Sequence, residues 1–292
     1  MIDILIVGNG PAGLSAALYG IRAGYSVCIV GKDNGALAKA EKVDNYFAVP
    51  GLSGREIIQR GKDQVENLGG KLVTDEVINI KWDGFFKVTA KFAEYNARSV
   101  IIATGAARQS AKISGIKELE GRGVSHCAVC DGFFYKDKDV AVLGNGIYAL
   151  HEANELLHIA RSVTVITNGE EPTVSFPEIY KIINVPVKNI KVKDTLMGQM
   201  LEGVVFSDGE EIDINGLFIA LGSASAVDLA RKMGVEIRGN SIAVDGEMKT
   251  NISGLYAAGD CTGGMFQVSL AVSEGTKAAL SAIAYLRENP VS

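Results

Sequence analysis

The chain has 292 residues, room for two domains of ordinary size, and 47% apolar side chains, enough to build substantial cores. Its net charge of −5, from 29 Lys and Arg against 34 Asp and Glu, lacks the basic clustering that phosphate neutralisation requires, so nucleic acid is not expected as a main partner. No uninterrupted apolar run reaches the roughly 18 residues of a membrane-spanning helix, so no span is expected.

The opening Met1-Ile2-Asp3-Ile4-Leu5-Ile6-Val7 carries no basic leader and runs into a Gly-rich turn. It reads as a buried strand over 3–8 rather than a signal peptide, and a cytoplasmic location is expected. A helix over 11–23 follows, with Ala12, Gly13, Ala16 and Ala17 on its packing face, then a buried strand over 26–30. This is a βαβ unit, which implies a parallel sheet. After a looser segment at 33–55, Ser53 caps a helix over 54–68 that Gly69-Gly70 stops. Alternating strands are predicted at 71–80 and 84–93, and an apolar one at 99–103. Residues 105–125, rich in Gly, Ser and Ala, contain a connection between domains, with a linker near 110–115.

A second βαβ unit begins at 139, with a strand at 140–143, a helix at 147–159 and a strand at 163–166. A loop with Pro172 and Pro177 follows at 168–177. Strand-like pieces recur at 203–206 and 217–221, a return linker at 222–226, a strand at 255–258 and a last helix at about 267–286. The two Gly-rich units form an internal repeat. They predict an α/β fold of two Rossmann-like dinucleotide-binding domains, the second inserted into the first: 1–110 with 222–292, and 111–221 between them.

Four motifs carry chemistry. Gly8-Asn9-Gly10-Pro11-Ala12-Gly13 lies between a strand and a helix, where Gly8, Gly10 and Gly13 permit a tight turn, close approach to a pyrophosphate and close helix packing. Pro11 and Ala12 open the helix behind it. The acidic residue that usually ends the next strand and binds a ribose is replaced by Gly31-Lys32-Asp33, so Lys32 joins the expected cofactor contacts. At the far end, Ala257-Ala258-Gly259-Asp260 follows a strand; paired with the first fingerprint it points to one FAD spanning a discontinuous domain. Cys127-Ala128-Val129-Cys130-Asp131 has the spacing of a dithiol/disulfide, and the adjacent carboxylate can shuttle a proton to a departing thiolate. The alternative, half of a zinc site, lacks a second ligand pair: His126, His151, His158, Cys28 and Cys261 show no metal-ligand spacing, and no metal is expected. Finally, Gly144-Asn145-Gly146-Ile147-Tyr148-Ala149 opens the second unit like a pyridine-nucleotide turn. The strand behind it ends in Thr167-Asn168-Gly169-Glu170-Glu171, where a 2′-phosphate would need Arg or Lys, and Tyr148 and His151 are bulky for a dinucleotide-facing helix.

The order of the first fingerprint, Val43-Asp44-Asn45-Tyr46-Phe47, Ala103-Thr104-Gly105, Cys127–Phe134, the second Gly turn, Gly259-Asp260 and Gln267 resembles the low-molecular-weight flavin thioredoxin reductase family over almost the whole chain. The resemblance implies FAD in the outer domain, a homodimer, thioredoxin as protein substrate and a mobile central domain bearing the cysteines. It makes Cys130 the flavin-facing sulfur, Cys127 the thiol that attacks thioredoxin and Asp131 the acid/base. It also places Asn45, Thr104, Gly105, Gly259, Asp260 and Gln267 at the FAD. The family's His-Arg-Arg segment for NADPH is missing after Ile166, and the region before 217–221 is short. In this the chain is similar to the ferredoxin-dependent flavin thioredoxin reductases of anaerobic bacteria, which implies ferredoxin as electron donor. NADPH or NADH as donor, and a non-catalytic flavoprotein sensor, are the alternatives. An acidic ferredoxin would seek a basic patch, for which Lys136 and Lys138, or Lys188, Lys191 and Lys193, are candidates, although a merely solvated surface is the favoured reading of either cluster.

Overall fold

The computed structural model describes residues 1–106, 113–196 and 198–290. In chain order, β1 (Ile2–Val7), α1 (Pro11–Arg22) and β2 (Val27–Gly31) form the first βαβ unit. They are followed by α2 (Gly54–Asn67), β3 (Lys71–Thr74), β4 (Val77–Trp82), β5 (Phe86–Ala90) and β6 (Glu94–Ile102). Next come β7 (Val124–Ser125), the single turn α3 (Ala128–Asp131), β8 (Asp139–Leu143), α4 (Ile147–Leu157), β9 (Ser162–Ile166) and β10 (Lys181–Ile183). Then β11 (Val187–Thr195), β12 (Gly198–Phe206), β13 (Glu211–Asp213) and β14 (Gly216–Ile219) lead to α5 (Ala226–Lys232), β15 (Ile237–Arg238), β16 (Ser241–Ile242), β17 (Leu255–Ala257) and α6 (Val268–Glu288).

The chain divides into two compact units, Met1–Arg108 with Ser225–Ser292, and Gln109–Ala224. The linker expected near 110–115 lies partly outside the described residues, which exclude 107–112. The return linker ends sooner than expected, because Ser225 already caps α5 in a capping box with Asp228.

In the first unit, β3, β2, β1 and β6 run parallel, and β5 and β4 extend the sheet antiparallel. β6 is long enough to serve two neighbours on one edge: its first half pairs with β5 and its last three residues with β17. The expected strand at 71–80 is in fact two. β3 joins β2, and β4 joins β5 at the far side of the sheet, because the chain breaks at Asp75, whose buried carboxylate accepts the Phe92 and Glu76 amides. The core lies between this sheet and α1 and α6. Small residues allow close approach of the two helices: a Cβ on Gly275 of α6 would collide with the Ala12 carbonyl of α1. α2 starts at Ser53, whose hydroxyl and amide form a capping box with Glu56.

The second unit has a five-stranded parallel sheet in the order β10-β9-β8-β14-β7, with the antiparallel β11-β12-β13 beside it in sequence. Only 203–206 of that antiparallel sheet is strand-like in sequence, because Lys188, Lys191, Lys193 and Asp194 interrupt the apolar pattern of β11. Among the described residues no helix is long and apolar enough to cross a membrane.

Candidate active site and cofactor cradle

In the first unit three distant loops leave neighbouring parallel strands at one edge. Register places Val7 beside Ile102 and Ile102 beside Ala257, so Gly8, Ala103–Gly105 and Ala258–Asp260 emerge side by side. The Ala103 amide donates to Val7 at 2.7 Å and the Ala258 amide to Ile102 at 2.9 Å. Ligands of open parallel sheets bind at this carboxyl-end edge. Gly8, at φ +114°, has no room for a Cβ, which would strike the Ala103 carbonyl oxygen; Gly13 is pinned likewise against the Gly8 carbonyl. Gly10, the N-cap of α1, faces open space, so its backbone is accessible to a phosphate, and Pro11 occupies the first helical turn without sacrificing a bonded amide. Gly31 packs on Asn9, where a Cβ would lie 2.7 Å from the side-chain amide.

The other expected cofactor residues gather in the same unit. Asn45 donates from Nδ2 to Gln267 Oε1 at 3.0 Å, joining positions 222 residues apart. Thr104 and Gly105 follow β6, Gly105 at φ +80°. Gly259, at φ +81°, donates its amide to Glu274 of α6 at 2.8 Å, and Glu274 also accepts from the Thr262 hydroxyl at 3.0 Å. Burial pushes the neighbouring Asp260 carboxyl above its usual range, and the Glu274 charge adds to the effect. Lys32 pairs with Glu76 at 3.0 Å. The confined glycines, the open face of Gly10 and the half-buried Asp260 fit a flavin dinucleotide. Glu274 is a supporting residue that sequence reading missed, since nothing in its helix distinguishes it from a solvated glutamate.

In the second unit, β7 delivers the chain to the cysteines at the carboxyl end of its sheet. Cys127 and Cys130 form a disulfide. Cys127 is buried and caps α3, where its Sγ accepts the Cys130 amide at 3.1 Å; Cys130 is exposed. Ser125, also unforeseen, accepts the Cys127 amide at 3.0 Å and donates to Asp131 Oδ2 at 2.6 Å, tying the carboxylate to the redox turn. Exposed Phe133 and Phe134 follow. Cys28 and Cys261 are buried thiols; burial raises both, Cys261 to about 12, which leaves them unreactive. No group of three or more potential metal ligands occurs among the described residues.

The second Gly turn has its own occupant. Asn145 Nδ2 donates to the Glu171 carbonyl at 3.0 Å, and the Asn145 carbonyl accepts the Thr173 amide at 2.8 Å. A Cβ on Gly146 would lie 3.2 Å from the Thr173 hydroxyl. The segment 171–173 therefore lies against the second Gly turn, bonded to the side chain and carbonyl of Asn145 and close to Gly146. Of the basic candidates, Lys191 is held by Glu211 and Asp213 at 3.0 Å each, and Lys138 donates to the Phe134 carbonyl at 3.0 Å.

A dinucleotide cradle in one unit and a Cys-x-x-Cys disulfide in the other define a flavin disulfide oxidoreductase. Residues 2–275 match the family model described as pyridine nucleotide-disulphide oxidoreductase, and the chain belongs to that family. The thioredoxin reductase of Aquifex aeolicus is 33% identical over 97% of this chain and 93% of its own, and that of Peptoclostridium acidaminophilum 34% over 98% of each. Among solved structures, the atypical thioredoxin reductase of Desulfovibrio vulgaris Hildenborough is similar with a TM-score of 0.91 and 38% identity, covering 99% of both chains. A ferredoxin-flavin thioredoxin reductase of Clostridium acetobutylicum is similar with a TM-score of 0.71 and 30% identity, covering 98% of both. The activity is that of a thioredoxin reductase, and the cofactor of the family is FAD.

Proposed function

We propose that this thioredoxin reductase takes its electrons from reduced ferredoxin rather than from a pyridine nucleotide. The observation that carries the reading is the segment 171–173 bonded across the second Gly turn. The exposed Glu170 and Glu171, where a 2′-phosphate would need a cation, add to it, as does the similarity to a ferredoxin-flavin enzyme. Neither lysine cluster is assigned as the docking surface, because Lys191 and Lys138 are engaged within their own unit.

Gly8, Gly10, Pro11, Ala12, Gly13, Lys32, Asn45, Thr104, Gly105, Gly259, Asp260 and Gln267 would hold FAD, which would supply the conversion of single electrons into the pair that a disulfide needs. The protein's residues then act in sequence. Two electrons break the Cys127–Cys130 bond, with Cys130 as the flavin-facing sulfur. Asp131, held by the Ser125 hydroxyl, carries a proton to the leaving sulfur and takes it back as that sulfur turns to attack thioredoxin. Cys127 thiolate attacks the thioredoxin disulfide, forming a mixed disulfide and releasing one thioredoxin thiolate. Cys130 attacks Cys127 in turn, restoring the pair and releasing the second thiolate. The buried Cys127 must be uncovered for this, which supports a rotation of the central unit about connections near 110–115 and 222–226. The enzyme would act as a homodimer in the cytoplasm, where a dithiol is kept reduced.

The test is anaerobic bleaching of the bound flavin by reduced ferredoxin, NADPH and NADH added separately. Rapid bleaching by ferredoxin alone is expected. Rapid bleaching by NADPH at low concentration would mean that the 171–173 segment yields to nucleotide and that this is an NADPH enzyme.

A further inference from the structure

Glu152 is fully buried on α4, a helix otherwise faced with Ala, Leu and Tyr148, and the chemistry described so far does not use it. A carboxylate in such a place is costly unless it is bonded. Its Oε2 accepts the Ala128 amide at 2.8 Å, and its Oε1 lies 3.3 Å from His151 Nδ1. Tyr148, four residues earlier on the same helix face and equally buried, donates its hydroxyl to the His126 carbonyl at 3.2 Å. The residues immediately before and after Cys127 are thus gripped by one face of α4. This is the helix that would present its start to a dinucleotide if the second Gly turn were used for one.

We infer that Glu152 is a positioning residue of the redox pair: with Tyr148 it fixes the backbone on both sides of Cys127, and its charge shifts the pair toward the disulfide, so that the reduced pair is a stronger donor to thioredoxin. This rests on the reading of Cys127–Cys130 as the working disulfide. Reduction breaks one S–S bond, takes in two electrons and leaves a thiolate or thiol on each sulfur according to whether one or two protons follow. The disulfide carries no charge, so a neighbouring carboxylate leaves it unaffected but opposes a thiolate at Cys127. Glu152 also removes the Ala128 amide from service to that thiolate, as Ser125 removes the amide of Cys127 itself. The Cys130 amide, 3.1 Å from Cys127 Sγ, still favours the thiolate. Asp131 lies on the Ser125 hydroxyl, Glu120 lies 3.2 Å from His126 Nε2, and Glu155 lies 3.7 Å from His151 Nε2; none of these contacts is to an amide flanking Cys127.

The full-length, FAD-bound enzyme is equilibrated anaerobically with mixtures of reduced and oxidised dithiothreitol. It is then quenched in acid, alkylated in denaturant and counted by mass spectrometry, with Cys28 and Cys261 as internal thiols. In Glu152→Gln, which keeps the shape and an acceptor but not the charge, the equilibrium constant for reduction should rise about tenfold, about 30 mV upward in potential. Tyr148→Phe, which changes no charge, should stay within about threefold of the parent. A constant within twofold of the parent in Glu152→Gln, or a shift in the opposite direction, overturns the inference. Glu152→Ala should move at least as far as the glutamine variant where it folds, and the isosteric glutamine decides where it does not. Turnover by Cys127→Ser and Cys130→Ser is measured in parallel. Full thioredoxin reduction by either would remove the pair from the mechanism while leaving the dithiothreitol equilibrium to judge Glu152.

Discussion

Asp260, proposed to contact the FAD, is the residue at which cofactor binding and stability would oppose each other. Its carboxyl is raised by burial, with the Glu274 charge adding, so the folded protein holds the proton more tightly than the unfolded chain does. The cost of ionised Asp260 is therefore fully present above its folded value and relieved as pH falls through that value toward the ordinary 3.8. Asp260→Asn should raise the melting temperature of FAD-stripped protein by about 2 °C at pH 7, a gain that fades toward pH 4, while the purified variant retains less FAD by its visible absorbance. A variant that melts no higher at pH 7 would show that the burial is compensated by another bond. Gly8, Gly13 and Gly259 were legible in the sequence because only glycine fits such turns, and the cysteines because their spacing is rare. Ser125, Glu152 and Glu274 were not, since a hydroxyl or carboxylate that bonds a distant backbone amide leaves no local pattern.

At the scale of elements, the parallel strands and the helices were readable from continuous apolar runs and from caps. Ser53 is the clearest case, with Glu56 three residues on. Ser53→Ala should cost about 1 kcal/mol in urea unfolding, whereas Gly275→Ala, which drives a Cβ into the backbone of α1, should cost about 1–3 kcal/mol. If the alanine at 275 is neutral, the close crossing of α1 and α6 is not a constraint on the core. The elements that escaped reading failed for two physical reasons. The run at 71–80 looks continuous because both of its halves are apolar, and the Asp75 carboxylate that divides them acts through amides at 76 and 92. β11 is hidden by its lysines, which interrupt its apolar pattern; of these, Lys191 finds Glu211 and Asp213 only once β13 has folded beside β12.

The whole molecule separates its tasks by unit. Every residue expected at the FAD lies in Met1–Arg108 or Ser225–Ser292, and the disulfide, its Ser125–Asp131 tie and the α4 grip all lie in Gln109–Ala224. The sequence suggested this division through its repeated Gly turns, but it could not tell that the second turn is bonded to Glu171 and Thr173, because that closure depends on how a polar loop folds back. If the insertion is a separate module, replacing residues 109–224 by a flexible Gly-Ser linker should leave a protein that still purifies yellow, with close to one FAD per chain by absorbance. It should have no activity in a coupled thioredoxin assay, since both redox sulfurs are gone. The sheet of the first unit closes without the insertion, because β6 pairs directly with β1, β5 and β17, and α1 packs on α6. Loss of FAD from the excised protein would show that the cradle depends on contacts from the inserted unit, and the two units would then have to be treated as one folding body.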